Sequence, residues 1–162
     1  VASILSFPSI VNETAARLVA TGAVAMSVAY VATGNGWILV PLTYGFIARV
    51  LAGPRFSPLG LLATKVLVPR INVKHKLCPG PPKRFAQGIG AAFSVTASVL
   101  FLLDLGVASR VVIAMLAAAA SLEAFAGVCI GCKMFYAMMR VGILPESVCE
   151  ECNDISRRIQ AA

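Results

Sequence analysis

Four of the five cysteines fall in two CxxC pairs within VCIGCKMFYAMMRVGILPESVCEEC, positions 128–152. Sixteen residues separate Cys132 from Cys149. That lies within the gap of about 15 to 20 residues seen in four-thiolate zinc sites, yet each CxxC alone has redox-dithiol spacing. Two chemistries are therefore open. In the first, Cys129 opens a helix and is the attacking thiolate, stabilised by the helix N-terminus and by Lys133, while Cys132 resolves. Cys149 and Cys152 flank Glu150 and Glu151, whose charge raises thiol pKa, and fit an electron or sulfur relay better than a nucleophile. In the second, Cys129, Cys132, Cys149 and Cys152 converge on one zinc ion, with Lys133 to Gly142 helical and Pro145 turning the chain back. The same ligands could hold an iron–sulfur cluster, which nothing in the sequence favours. A third reading, inert packing cysteines, needs no chemistry at all.

The choice depends on where the segment sits, and composition answers that first. The chain is 59% hydrophobic and 13% charged, against about 45 to 50% apolar and 25% charged in soluble domains. A water-soluble fold of this length could not hide so much apolar surface, so an integral membrane protein is expected. From Leu18 to Ala48 there are 31 residues without a charge, and from Phe85 to Leu103 another 19. The first run is too long for one span of about 20 residues, and Gly34-Asn35-Gly36 supplies a tight turn inside it. Spans are expected at about 15–33, 37–53, 85–104 and 110–130, with Tyr30 and Trp37 near the outer interface. No cleaved signal peptide is expected at the N-terminus.

Lys and Arg set the orientation. Arg55, Lys65, Arg70, Lys74, Lys76, Lys83 and Arg84 lie between spans two and three, and Lys133, Arg140, Arg157 and Arg158 beyond span four. The two short turns carry Asp104 and Arg110 alone. Both termini and the middle loop are therefore expected in the cytoplasm, where permanent disulfides are not favoured. The basic balance reads as attraction to anionic membrane lipid, and no aromatic-interleaved basic surface points to nucleic acid.

A duplication is visible under a shift of 74 positions, which matches Ala52-Gly53 with Ala126-Gly127 and places Arg49 on Glu123. The first and third spans align under a shift of 68, pairing Gly22-Ala23 with Gly90-Ala91. Arg49 and Glu123 are expected at similar depth and to form an intramembrane ion pair, the alternative being that Arg49 snorkels and Glu123 is protonated or faces water. Each unit is followed by an amphipathic segment: Leu59, Leu62, Val66 and Pro69 form one apolar face, and Met134, Phe135, Met138 and Met139 the other. The methionines read as packing or lipid contact ahead of copper binding. His75, the one histidine, reads as a solvated loop residue, and Ser94, Thr96 and Ser98 are thin support for a transport pathway.

FPSIVNETAARLVATG, YGFIARVLAGPRFSPLG, PGPPKRFAQGIGA and CIGCKMFYAMMRVGILPESVCEEC, in this order, resemble the bacterial membrane family catalogued as domain of unknown function 4395. The resemblance covers nearly the whole chain. It implies a four-helix membrane protein, and the frequent encoding or fusion of members near thioredoxin-like and sulfurtransferase proteins implies thiol or sulfur chemistry. Cys78 in KLCPGPP is outside the family pattern; Lys76 and Lys83 beside it would lower its pKa.

The expectation is an all-α membrane protein with four transmembrane helices in two tandem two-helix units, plus cytoplasmic amphipathic helices. Residues 1–162 form one membrane domain, with repeat 1 at about 7–70, repeat 2 at about 78–145 and a cysteine-containing cytoplasmic tail at 146–162. Its location is the bacterial cytoplasmic membrane, multi-pass. The expected function is thiol-redox or sulfur handling at the cytoplasmic face with a thioredoxin-like or sulfurtransferase partner. The alternatives are a non-catalytic scaffold, or subunit of a larger membrane assembly, with a structural zinc site, and a small-solute transporter.

Overall fold

The computed structural model describes residues 10–71 and 77–149. Asn12 starts the first helix: its Oδ1 accepts hydrogen bonds from the N–H groups of Thr14 (2.9 Å) and Ala15 (3.4 Å), donors that a helix start leaves free. Helix α1 (Glu13–Thr33) ends at Gly34, which takes the left-handed conformation at φ 69°. A short 3-10 turn (Gly36–Ile38) leads into α2 (Leu39–Ala52). The first amphipathic segment is a continuous but unevenly wound helix: α3 (Pro58–Leu62), a π-type turn over Ala63–Leu67, and α4 (Val68–Arg70). Then follow α5 (Gly80–Leu102), α6 (Gly106–Ala126) and α7 (Ile130–Arg140).

The helix boundaries depart from expectation at two informative places. Helix α5 begins at Gly80 rather than near Phe85, because Pro81 and Pro82 supply the preset φ of a helix start where no N–H partner is needed. Lys83 therefore belongs to a helix and not to a loop. Helix α6 ends at Ala126, where Gly127 turns left-handed at φ 66°. The structure also adds a two-stranded antiparallel ribbon, β1 (Ile10–Asn12) with β2 (Leu77–Pro79), in which Val11 pairs with Cys78. The ribbon ties the start of α1 to the start of α5.

Helices α1, α5 and α6 are long and apolar enough to cross a membrane, whereas the apolar helix Gly36–Ala52 is shorter. At 1.5 Å per residue it reaches about 25 Å, just under the roughly 30 Å hydrocarbon core. Large apolar side chains such as Val40, Val107, Met115 and Phe125 point outward from these helices, as lipid-facing positions do.

Helix α1 packs along α6, α6 along α5, and α5 along α2, while the consecutive helices α1 and α2 meet far less. The first helix of each expected unit thus packs on the second helix of the other. The core between them holds Tyr30, Leu42, Phe46, Ala97, Ile113 and Leu116. Tyr30 lies fully buried near the end of α1. Its hydroxyl donates to Ser109 Oγ (2.6 Å), which donates in turn to the carbonyl of Ala97 (2.7 Å), linking α1, α6 and α5. Thr43 and Ser98 link α2 to α5 at 3.2 Å.

The antiparallel pair α1 and α6 is closed by matching contacts at its two ends. A β-carbon at Gly34 would run into the Arg110 guanidinium, and one at Gly127 into that of Arg17. Each arginine, in the second turn of one helix, covers the left-handed cap of the other, where the helix C-terminus carries partial negative charge. The α3–α4 segment packs Ala63 and Val68 against Ala15 and Val19 of α1, leaving Leu62 and Val66 exposed.

Candidate functional site

The break after α6 positions the first cysteine pair. Past Gly127 the chain runs extended to Cys129, which is the N-cap of α7 with φ −89° and ψ 106°. An N-cap needs an acceptor for the orphan N–H groups of the first turn, a role usually filled by a Ser or Asp oxygen. Here sulfur fills it: Cys129 Sγ accepts the Cys132 backbone N–H at 3.4 Å. The Cys132 thiol also donates to Cys129 Sγ, at 2.8 Å. Both cysteines are free thiols and half-buried.

Gly131, between them, brings this turn against α5. A β-carbon there would lie 2.6 Å from both Cα and Cβ of Ala86, so no larger residue fits without a shift. Phe135, one turn on, is buried against Phe85, with ring centroids 5.8 Å apart. Ala86 is one turn from Lys83, whose ammonium forms an ion pair and hydrogen bond with the Glu123 carboxylate in the last turn of α6. Both side chains are largely buried, at 7% and 14% exposure.

This contact corrects the expected pair of Arg49 with Glu123. Arg49 is buried and donates instead to Gln87 Oε1 (2.9 Å) and Ser57 Oγ (3.2 Å), with its guanidinium 4.6 Å from the centre of the Phe46 ring. The reason is topological: Arg49 projects from α2, Glu123 from α6, and α5 packs against both. A cation on α5 reaches the carboxylate first, although Arg49 stays within its electrostatic field.

The cap shifts the two thiols in opposite directions. The hydrogen bond from Cys132 brings the Cys129 thiol down to about 7, helped by Lys83 and opposed by burial and by Glu123. The same bond, reinforced by burial, pushes the Cys132 thiol far up. The Cys129 sulfur is thus drawn toward the thiolate form and its neighbour toward the thiol, the division that a nucleophile and a resolving partner require. Cys78 lies on β2 within the field of Lys83, Glu123 and Cys129; its thiol donates to the carbonyl of Val11 at 3.3 Å, and burial raises its pKa. The Tyr136 hydroxyl, in the field of all three sulfurs, is raised chiefly by burial.

A groove of about 500 Å³ is lined by Lys133, Tyr136, Ala137, Met139 and Arg140 of α7; neither Cys129 nor Cys132 is among its lining residues. A larger one, about 840 Å³, is lined by Trp37, Tyr44 and Phe101 among others, at the opposite end. Ser94, Thr96 and Ser98 donate to the carbonyls of Ala91, Ala92 and Ser94 on their own helix, so the hydroxyls raised for a transport path are used within α5. Cys152, the side chain of Cys149 and His75 lie outside the described residues, and with them the relay and the four-thiolate zinc centre. Among the described residues no three metal-ligating side chains gather.

Lys83 and Cys78 were not assembled with the thiol pair by sequence reasoning. The usable signal for Lys83 was its place two residues after Gly-Pro within PGPPKR, inside the first turn of a helix. Cys78 joins through strand pairing between segments far apart in the chain, which local pattern does not carry.

Residues 11–140 match the family described as Domain of unknown function (DUF4395), and the chain belongs to that family. The matched range includes Cys78, Lys83, Glu123, Cys129 and Cys132 and stops before Cys149. No curated protein and no solved structure matches the chain.

Proposed function

We propose that this DUF4395 protein carries out thiol–disulfide or sulfur exchange at the cytoplasmic face of a bacterial membrane, with Cys129 as nucleophile and Cys132 as resolving thiol. The observation that carries the reading is the sulfur cap of α7: Cys129 Sγ takes both the N–H and the thiol proton of Cys132. The Cys129 thiolate attacks a sulfur of a partner's disulfide, and one partner thiolate leaves. Cys132 then gives up its proton and attacks Cys129 Sγ, releasing the second. The cysteine pair is oxidised and the partner reduced; the reverse sequence reduces the pair. A thioredoxin-like protein or a sulfurtransferase has the sulfur chemistry to be that partner.

The same reading places four helices across the bilayer, α2 being the short one, as two tandem units with both termini cytoplasmic. In support, the turns between α1 and α2 and between α5 and α6 lie at one end, where a β-carbon at Gly36 would strike the ring of Phe101. Lys83, Arg84, Lys133 and Arg140 lie at or beyond the other. The reciprocal packing of α1 on α6 and α5 on α2 is what a parallel duplication produces.

The test is trapping in cells. With Cys132→Ser, a partner adduct should accumulate on Cys129 and be identified by mass spectrometry, and Cys129→Ser should abolish it. An unreactive Cys129 together with equimolar zinc in the purified protein would overturn the exchange reading in favour of the metal-closed scaffold.

A further inference from the structure

Helix α7 carries three faces where an ordinary amphipathic helix carries two. Gly131 and Phe135 are buried against α5, with Phe85, Met139 and Leu144 packed around the Phe135 ring. Ile130, Met134, Ala137 and the C-cap Val141 recur at steps of four, three and four, so they share a second face. That face is apolar and uncovered: Met134 is 48% exposed and Val141 75%. Lys133, Tyr136, Ala137 and Arg140 form the third face, all of them exposed, and with Met139 they line the groove of about 500 Å³. Arg140 stands two turns beyond Lys133, about 10 Å along the axis at 1.5 Å per residue. Among the described residues neither cation meets a carboxylate.

Only Gly127, Val128 and Cys129 separate α7 from α6, a helix long and apolar enough to cross a membrane, so α7 begins where that span leaves the bilayer. At that level acyl chains cover an apolar face, and cations beside it meet the headgroups. An acidic protein segment would match Lys133 and Arg140 but leave Ile130, Met134 and Val141 bare. A lipid satisfies both faces at once, and two cations without a carboxylate favour a headgroup of net negative charge over a zwitterionic one. We propose that this groove binds an anionic phospholipid, its phosphate between Lys133 and Arg140 and its acyl chains over Ile130, Met134 and Val141. The site is independent of the exchange chemistry and rests on α6 crossing the bilayer. The bound lipid clasps α7 from the side opposite to the one that Gly131 and Phe135 hold.

Native mass spectrometry of the full chain, released from detergent micelles doped with phosphatidylglycerol or phosphatidylcholine, tests this. Phosphatidylglycerol should be retained, and an equal amount of phosphatidylcholine should not displace it. Lys133→Gln with Arg140→Gln should weaken retention by about 30-fold. Lys65→Gln with Arg70→Gln, the same loss of charge on the α3–α4 segment, should leave it unchanged. Met134→Gln with Val141→Gln, two exposed positions whose change keeps both cations, should weaken retention as well. Equal retention of the two lipids would overturn the site, as would equal losses from the two charge-neutralised variants. Undiminished retention in the Met134 and Val141 variant, or displacement of the lipid by inorganic phosphate, would overturn the lipid reading and assign the cations to an acidic protein segment or a free anion.

Discussion

Gly131 rests on the backbone of Ala86, close enough that a β-carbon on Gly131 would stand 2.6 Å from the Ala86 Cα. The residue between the two cysteines is thus what seats the start of α7 on α5, within one turn of Lys83. Gly131→Val should lift that turn, destabilising the protein by about 1 to 3 kcal/mol through overpacking. Thermal unfolding in detergent measures the first effect, and slower alkylation of Cys129 at pH 7 measures its separation from Lys83. Unchanged values for both would show that this contact does not hold the thiol loop.

Cys129 should alkylate with a rate that rises through pH 7 and levels off above it, because only the thiolate reacts and its pKa is brought down to about 7. Below that pH the sulfur is protonated and slow. Cys132→Ala removes the hydrogen bond that is the largest cause, so the midpoint should move upward, and Lys83→Met should move it the same way. Iodoacetamide labelling followed by mass spectrometry across pH reads both shifts.

The ion pair of Lys83 with Glu123 makes an asymmetric prediction. Lys83→Met leaves a buried carboxylate without its partner and should cost about 3 kcal/mol or more, whereas the double change Lys83→Met with Glu123→Met should recover most of that loss. Urea or thermal unfolding of the single and double variants in one detergent checks it. Equal destabilisation by the single and the double change would show that the two side chains do not act on each other.

Arg17 over Gly127 and Arg110 over Gly34 are equivalent contacts at opposite ends of α1 and α6. Gly127→Ala and Gly34→Ala should each cost about 1 to 2 kcal/mol, since φ is 66° and 69° there. Gly127→Ala should in addition slow Cys129 alkylation, because the thiol turn follows that cap directly; Gly34→Ala, at the far end, should leave it unchanged.

Helices α1 and α5 were legible because long uncharged runs and turn glycines act locally: a membrane-length apolar segment has few alternatives to a helix. Helix α5 starts at Gly80, ahead of the expected span at 85–104, because two prolines suit a first helical turn and lie outside the uncharged run. The β1–β2 ribbon was missed since its strands pair positions 10–12 with 77–79, and three residues per strand leave no periodicity to read.

The sequence by itself determined that Cys129 and Cys132 are spaced as a dithiol, that a helix follows them, and that they lie just past an apolar helix. These are properties of neighbours along the chain, governed by backbone geometry and hydrophobicity. Tertiary structure decided which charge stands beside which thiol. Arg49 and Glu123 are matched by the internal alignment, yet α5 packs between their helices and presents Lys83 to Glu123. Electrostatic partners in a low-dielectric bundle are chosen by which helix face is nearest, and that is set by packing across the whole fold.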